Sequence, residues 1–283
     1  MTRRGIFWIA SYPKSGNTWV RCLIASLQSG GAPVRLGGLG DTVPNSAARA
    51  WIEACIDVGS GDMLASELNA MRAQSHREEG ARRLCILKVH DRYDPGLFPA
   101  EVTLGTIHIV RDPRDVAPSW ADHMGVDVDT AIARMADDAL TLSRSIDSFR
   151  PQAPQQFGSW SGHVRSWLDD APGPRLLLRY EALLADPLVE AARLARFMGL
   201  SVDADCVARA VDACDFEALR DIEEREGFSE RQKGQRRFFR QGRSGAWRGV
   251  LRPEQAGRIM GDHGAMMRRL GYGADTLADP AQA

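Results

Sequence analysis

Four short apolar runs punctuate the chain, and each ends in polar residues. Ile6 to Ala10 leads into Ser11-Tyr12-Pro13-Lys14. Leu84-Cys85-Ile86-Leu87 passes through Lys88 and Val89 to His90. Thr106-Ile107-His108-Ile109-Val110 stops at Arg111, and Leu176-Leu177-Leu178 at Arg179-Tyr180. Apolar runs of this length without alternation read as strands buried on both faces. Between them the period becomes helical. Val20, Leu23, Ile24 and Leu27 share a face, residues 46–79 are helical with a weak pattern, and Ile132, Met135, Ala136, Ala139 and Leu140 predict a helix over 129–149. Trp160, Val164, Trp167 and Leu168 mark another over 159–168. Asp112-Pro113 and Asp186-Pro187 open further helices, the second running through Phe197 to stop at Gly199, since proline suits a first helical turn and glycine a helix end. Strands alternating with helices predict an α/β fold with a central parallel sheet flanked by helices.

In such sheets ligands bind beyond the carboxyl ends of the strands, and Lys14, His90, Arg111 and Tyr180 all fall there. The first of these ends carries the most distinctive stretch, Ser11-Tyr12-Pro13-Lys14-Ser15-Gly16-Asn17-Thr18-Trp19. Strand, tight glycine-containing loop and helix is an arrangement that holds phosphate, because N–H groups at the helix start lack internal acceptors and the dipole there favours negative charge. Lys14 adds a full charge, Gly16 permits close approach, and Ser15, Asn17 and Thr18 offer polar donors. The common nucleotide loop places lysine after its second glycine; here lysine comes two residues before the glycine.

The chain has 283 residues with a net charge of −1, so no bulk field draws nucleic acid or an acidic membrane, and local basic clusters must carry any anion binding. Its five cysteines form no CxxC pair, which fits reduced thiols and a cytoplasmic location. The six histidines show no metal-ligand spacing, and no apolar stretch reaches membrane-span length. No repeat or linker divides the chain, so a single domain over 1–273 is expected, with a disordered tail over 274–283. The basic stretch from Arg225 to Arg243 reads as a lid or a solvated loop.

The polar groups at the sheet edge resemble those of the cytosolic-type sulfotransferases, which use 3′-phosphoadenosine-5′-phosphosulfate (PAPS). SYPKSGNTW resembles that family's 5′-phosphosulfate loop, and Arg111 to Ser119, an arginine followed eight residues later by a serine, looks like its 3′-phosphate motif. Lys88-Val89-His90 is similar to its Lys-x-His, Tyr180-Glu181 with Asp186-Pro187 to its Tyr-Glu…Asp-Pro, and Phe239-Arg240-Gln241-Gly242 with Gly245-Ala246-Trp247 to its C-terminal segment. The motifs keep the family's order. The resemblance implies a P-loop-like fold and PAPS as co-substrate, with no metal. It implies His90 as general base, Lys14 stabilising the leaving 3′-phosphoadenosine-5′-phosphate (PAP), Lys88 holding sulfuryl oxygens, and Ser119 bridging the 3′-phosphate and the Lys14 region. Arg111 and Arg240 would clamp the 3′-phosphate, Trp19 and Phe216 would sandwich adenine, and Tyr180 would bond near the purine. Ser15, Gly16, Asn17, Thr18, Gln241 and Gly242 would complete the cofactor site.

Gln241 stands where the family has lysine, and Ala246 where it has aspartate. The family's animal dimerisation motif is not recognisable in Arg248 to Gly257, which leaves oligomeric state open. The implied activity is sulfuryl transfer to a small molecule bearing a phenolic or alcoholic hydroxyl, with an overall look closest to bacterial members that modify secondary metabolites. The acceptor pocket is expected from residues 30–80, Asp91 to Phe98 and 122–149. Two other readings remain: a nucleotide kinase or NTPase, which would require a Gly-Lys-Ser/Thr loop and an acidic magnesium ligand, and a non-catalytic nucleotide-binding protein, which would need no base.

Overall fold

The apolar runs become four parallel strands of one sheet, in the order β2-β1-β3-β6. The computed structural model describes residues 3–143, 150–231, 235, 237–239 and 242–273. Its strands are β1 (Gly5–Ser11), β2 (Leu84–Val89), β3 (Thr103–Val110), β4 (Thr141–Leu142), β5 (Gln155–Gln156) and β6 (Arg175–Arg179); β4 and β5 pair antiparallel, apart from the main sheet. After β1 come helices α1 (Asn17–Gln28), α2 (Leu39–Thr42), α3 (Arg49–Ile56) and α4 (Ala65–Arg82). α5 (Pro113–Met124) and α6 (Val128–Met135) follow β3, and α7 (Trp160–Arg165) runs into a π turn over Ser166–Asp170 before β6. Beyond β6 lie α8 (Tyr180–Ala185), α9 (Pro187–Met198), α10 (Ala204–Ala213), α11 (Phe216–Glu226) and α12 (Pro253–Arg269).

Every residue of β1 is buried, and alternation along the strand sends its side chains into two cores. Phe7 and Ile9 pack with Val20, Leu23 and Leu27 of α1 and with α9 to α11. Ile6, Trp8 and Ala10 pack with Ala73 of α4, Phe98 and Trp167. Helices on both faces explain why the strand sequences are apolar throughout. In register, Ile9 lies opposite both Lys88 and Ile107. The chain leaves β1 on one side for β2 and returns on the other for β3. This is the reversal beside which a crevice opens at the carboxyl ends.

Local chemistry sets several boundaries. The Asp112 carboxylate accepts the Arg114 N–H at 2.9 Å ahead of Pro113, and Asp186 accepts the Val189 N–H at 3.1 Å ahead of Pro187. Gly199 takes φ 70° and closes α9. Elsewhere the expected boundaries move. The helix expected over 129–149 ends at Met135, because the Asp137 carboxylate accepts the Ala139 N–H at 2.8 Å in a turn and the chain then enters β4. Residues 144–149 lie outside the described residues. The weakly patterned 46–79 stretch divides into α3 and α4, with Asp57 left-handed at φ 53° between them. Tyr180, read as a strand end, starts α8 instead. The helices α10, α11 and α12 add order that the apolar pattern did not assign, and the tail over 274–283 lies outside the described residues. Among the described residues no helix is long and apolar enough to cross a membrane.

Candidate functional site

The crevice at the carboxyl ends of the strands is a cavity of about 1400 Å³. Its polar lining begins with the β1–α1 loop. Lys14 adopts φ 65° and Gly16 φ 102°, left-handed conformations that a side chain resists and glycine accepts. A Cβ on Gly16 would sit 2.7 Å from the Tyr180 ring, so glycine is required by both conformation and space. No side chain caps the start of α1, which leaves its first N–H groups to an anion. The Lys14 ammonium lies over the Phe238 ring, 4.3 Å from its centroid. Arg111 donates to the Lys14 carbonyl at 3.1 Å and to the Arg243 carbonyl at 3.0 Å, and its guanidinium stacks 4.2 Å above Tyr180. The buried Arg111 Nε has no partner within the described protein, a donor still available to an anion.

Lys14, Gly16, Asn17, Thr18, Trp19, Lys88, His90, Arg111, Ser119, Tyr180, Phe216 and Gly242 all line this cavity. Ser15 does not. It is fully buried behind the loop, and its hydroxyl has no partner. Asn17 is a second departure: its side-chain amide donates to the Ile9 carbonyl at 3.2 Å and to the Ser11 hydroxyl at 3.1 Å, so it ties the loop to β1 rather than offering that amide to a ligand. Phe216 packs against Gly242, where its ring leaves no room for a Cβ. Arg240 and Gln241 lie outside the described residues.

Lys88 and His90 leave the end of β2 together. The His90 Nδ1 is 2.8 Å from the Ser11 carbonyl. A carbonyl only accepts, so Nδ1 carries the proton and Nε2 keeps its lone pair. Burial, reinforced by the nearby Lys88 charge, holds the His90 pKa well below the ordinary histidine value, against the opposing pull of the Ser11 carbonyl. The imidazole is therefore neutral at physiological pH. Lys88 is buried and lowered by that burial, while Glu230 counteracts the shift. His123, at the end of α5, is pushed down to about 4 by burial and by Lys14.

The other wall comes from the segment after α11, part of the basic stretch read as a lid or a solvated loop. Ser229, Glu230, Arg231, Gln235, Phe238 and Phe239 line the cavity. Glu223 accepts the N–H groups of Phe238 and Phe239 at 2.7 and 3.0 Å, and Gln235 donates to Asp122 at 3.0 Å. Asp115 accepts the N–H groups of Gly245 and Trp247 at 2.7 and 2.9 Å, fastening the later segment to α5. Arg114 is fully buried against Asp112, with Trp247 4.3 Å away, and is structural.

Away from the loop the lining changes to Asn45, Ala48, Leu142, Pro151, Gln152, Gln155 and Phe157. The 30–80 and 122–149 segments reach this part of the cavity through Asn45, Ala48 and Leu142. Asp91 to Phe98 do not; Asp91 instead pairs with Arg72 at 2.7 Å, and residues 150–157 take that side of the cavity. Sequence reasoning missed Glu230, Asp115 and Phe238. One signal bears on the site: the chain has three lysines (Lys14, Lys88, Lys233) beside 33 arginines, and two of the three line this crevice. Among the described residues no cluster of His, Cys, Asp or Glu could hold a metal ion.

Comparison with known proteins matches residues 5–271 to the family model described as the sulfotransferase domain. Cytosolic sulfotransferase 17 of Arabidopsis thaliana is 27% identical over 274 residues, covering 90% of this chain and 72% of its own. Sulfotransferase 2A6 of Rattus norvegicus is 26% identical over 263 residues, covering 88% and 79%. Among solved structures, mouse sulfotransferase SULT7A1 complexed with PAP superposes with a TM-score of 0.62 at 19% identity, over 98% of this chain and 88% of its own. Retinol dehydratase in complex with androsterone and inactive cofactor PAP gives 0.60 at 16%, over 93% and 80%. These structural likenesses establish the shared fold.

Proposed function

The chain belongs to the sulfotransferase domain family, and from that premise we propose that it transfers the sulfuryl group of PAPS to a hydroxyl of a small-molecule acceptor. The observation that carries the reading is the 2.8 Å contact of His90 Nδ1 with the Ser11 carbonyl, which leaves Nε2 as the acceptor in the same crevice as Lys14, Lys88 and Arg111. The donor supplies the sulfuryl group: a bond forms from the acceptor oxygen to sulfur, and the bond from sulfur to the phosphate oxygen breaks. His90 Nε2 takes the hydroxyl proton. Lys14 and the N–H groups at the start of α1 neutralise the charge left on the phosphate, and Lys88 holds the sulfuryl oxygens. Arg111, together with Ser119 and Arg240, grips the 3′-phosphate, a task suited to a guanidinium fork. Trp19 and Phe216 enclose adenine beside Tyr180. The free Arg111 Nε and the uncapped start of α1 fit an anion of this kind. The fold neighbours bound to PAP with androsterone or retinol support the same reading, and the relatives named cytosolic support a cytoplasmic protein.

Calorimetric titration with PAP, against ATP with magnesium, is the test. We expect PAP to bind tightly, and to bind weakly in Arg111→Ala. His90→Ala should keep PAP affinity and lose about 10²–10⁴ in transfer rate. ATP binding in place of PAP would return the loop to the kinase reading. Because the His90 pKa is lowered, the base is competent above that lowered value, and transfer should persist below the ordinary histidine range before falling.

A further inference from the structure

Glu230 is an acid placed among the cations of an anion site. Its two oxygens do different things: Oε1 accepts from Arg21 at 2.6 Å and Oε2 from Lys88 at 3.0 Å. Arg21 reaches this point from α1, inside the fold. It is 1% exposed, and its Nη2 donates to the Val43 carbonyl at 3.1 Å. A buried guanidinium cannot shed its proton and needs an anion beside it; Glu230 is its acidic partner. The carboxylate is in turn well anchored. Gly227 turns the chain out of α11 at φ 74°, Phe228 packs into the core against Phe238 and Phe239, and the Arg231 N–H closes the turn on the Phe228 carbonyl at 3.1 Å.

The Lys88 main chain is equally fixed. Its N–H donates to the Pro44 carbonyl at 2.9 Å, and its carbonyl accepts the Ser46 N–H at 3.0 Å. Only the side chain is left to be directed, and Glu230 is the group that receives it. The arrangement is three charges that sum to +1, with the arginine behind, the carboxylate between and the ammonium at the cavity. We propose that Glu230, held in place by Arg21, is a positioning residue that keeps Lys88 protonated and fixed in the crevice for an anionic group of the donor. The identity of that group as sulfuryl rests on the transfer reading above; the charge relay does not.

Other charged groups bear on Lys88. Burial and Arg21 both favour its neutral form, Glu230 opposes them, and His90 beyond β2 and His123 on α5 sense its charge. Burial opposes the charge on Glu230, but Lys88 and Arg21 together hold its pKa far below the carboxylate range. Without that charge, burial and Arg21 would act on Lys88 unopposed. An arginine at position 88 would hold its charge without help, but lacks the compact ammonium that one carboxylate oxygen can direct.

The test uses the full chain labelled with ¹³C-lysine, which gives three ε-methylene signals, one for each lysine, with Lys88→Arg assigning the relevant one. Titration from about pH 6 to about pH 11 should place the Lys88 midpoint lower by about one to three units in Glu230→Gln than in the parent protein, with Glu230→Asp close to the parent and Lys14 unmoved. PAP release from PAPS, with 4-nitrophenol as acceptor, should lose its alkaline limb by the same amount in Glu230→Gln, while PAP affinity measured by calorimetry is unchanged. An unmoved Lys88 midpoint overturns the proposal. So does tighter PAPS binding or faster turnover in Glu230→Gln, which would make the carboxylate a competitor for the lysine. If Glu230→Gln fails to fold, the parent titration decides: a Lys88 midpoint below about pH 8 would show that the carboxylate does not keep it charged. Failure of the parent protein to bind PAP, with the Lys88 shift intact, would sink sulfuryl transfer and leave the relay standing.

Discussion

The loop end of the crevice, proposed above for the donor, and the far end, proposed for the acceptor, are built on different principles. The donor side is a short continuous loop whose backbone does much of the work: Lys14 and Gly16 in left-handed conformations, an uncapped helix start, and Arg111 fastened to the Lys14 carbonyl. The acceptor side is assembled from distant pieces, with Asn45 and Ala48 before α3, Leu142 from β4, and Gln152 to Phe157 around β5. What joins those pieces is a buried ion pair, Arg72 with Asp91. Arg72 also donates to the Ser46 carbonyl at 2.9 Å and to the Ser46 hydroxyl at 2.7 Å, while Asp91 accepts the Gln156 N–H at 3.2 Å. A backbone cradle tolerates little local change. A wall knit by one buried pair depends on that pair, and can vary its lining around it.

The sharpest way to break the comparison is Arg72→Met. It leaves Asp91 buried and unpaired, and should cost about 3–5 kcal/mol of stability, read as the urea midpoint. PAP should still bind to whatever fraction folds. Next is Lys14→Met, which we expect to lower transfer by about 10²–10³ and weaken PAP binding at nearly unchanged stability; an equal loss of stability would remove the distinction between the two sides. Third is acid. His76 and His163 are held at about 3 by burial. Their unfolded forms take up protons from about pH 6.5 downward while the native forms do not, so stability is full above that pH and declines as pH falls toward 3. His76→Leu should flatten the decline in a series of urea midpoints against pH. The smallest effect is Gln152→Ala. It removes the oxygen that accepts from Gln155 at 2.7 Å and should change acceptor KM by a few-fold without altering PAP affinity; a change in PAP affinity would mean that the two sides are not separate.

Much of the donor side was legible because its residues are neighbours in sequence. Strand, loop and helix follow one another over residues 5–28, so a linear motif records a three-dimensional cradle. His90 and Arg111 were legible for a related reason: each immediately follows an apolar run, and a parallel sheet gathers such ends at one edge. Even there, sequence could not say which polar side chains turn inward. Ser15 and Asn17 occupy motif positions, yet the first is buried behind the loop and the second bonds back to β1.

By itself, then, the sequence determined the α/β sheet and the edge at which its polar residues gather, because periodicity and short motifs are local properties. The tertiary structure alone decided the far wall of the crevice and the contacts that join Arg21, Glu230 and Lys88. Glu230 lies 209 residues from Arg21 and 142 from Lys88 in the chain. Nothing in its local sequence distinguishes it from other acidic residues around α11. Its role comes from the burial of two cations that only folding brings within reach of one carboxylate, and charge pairing of that kind acts through distance in space, not along the chain.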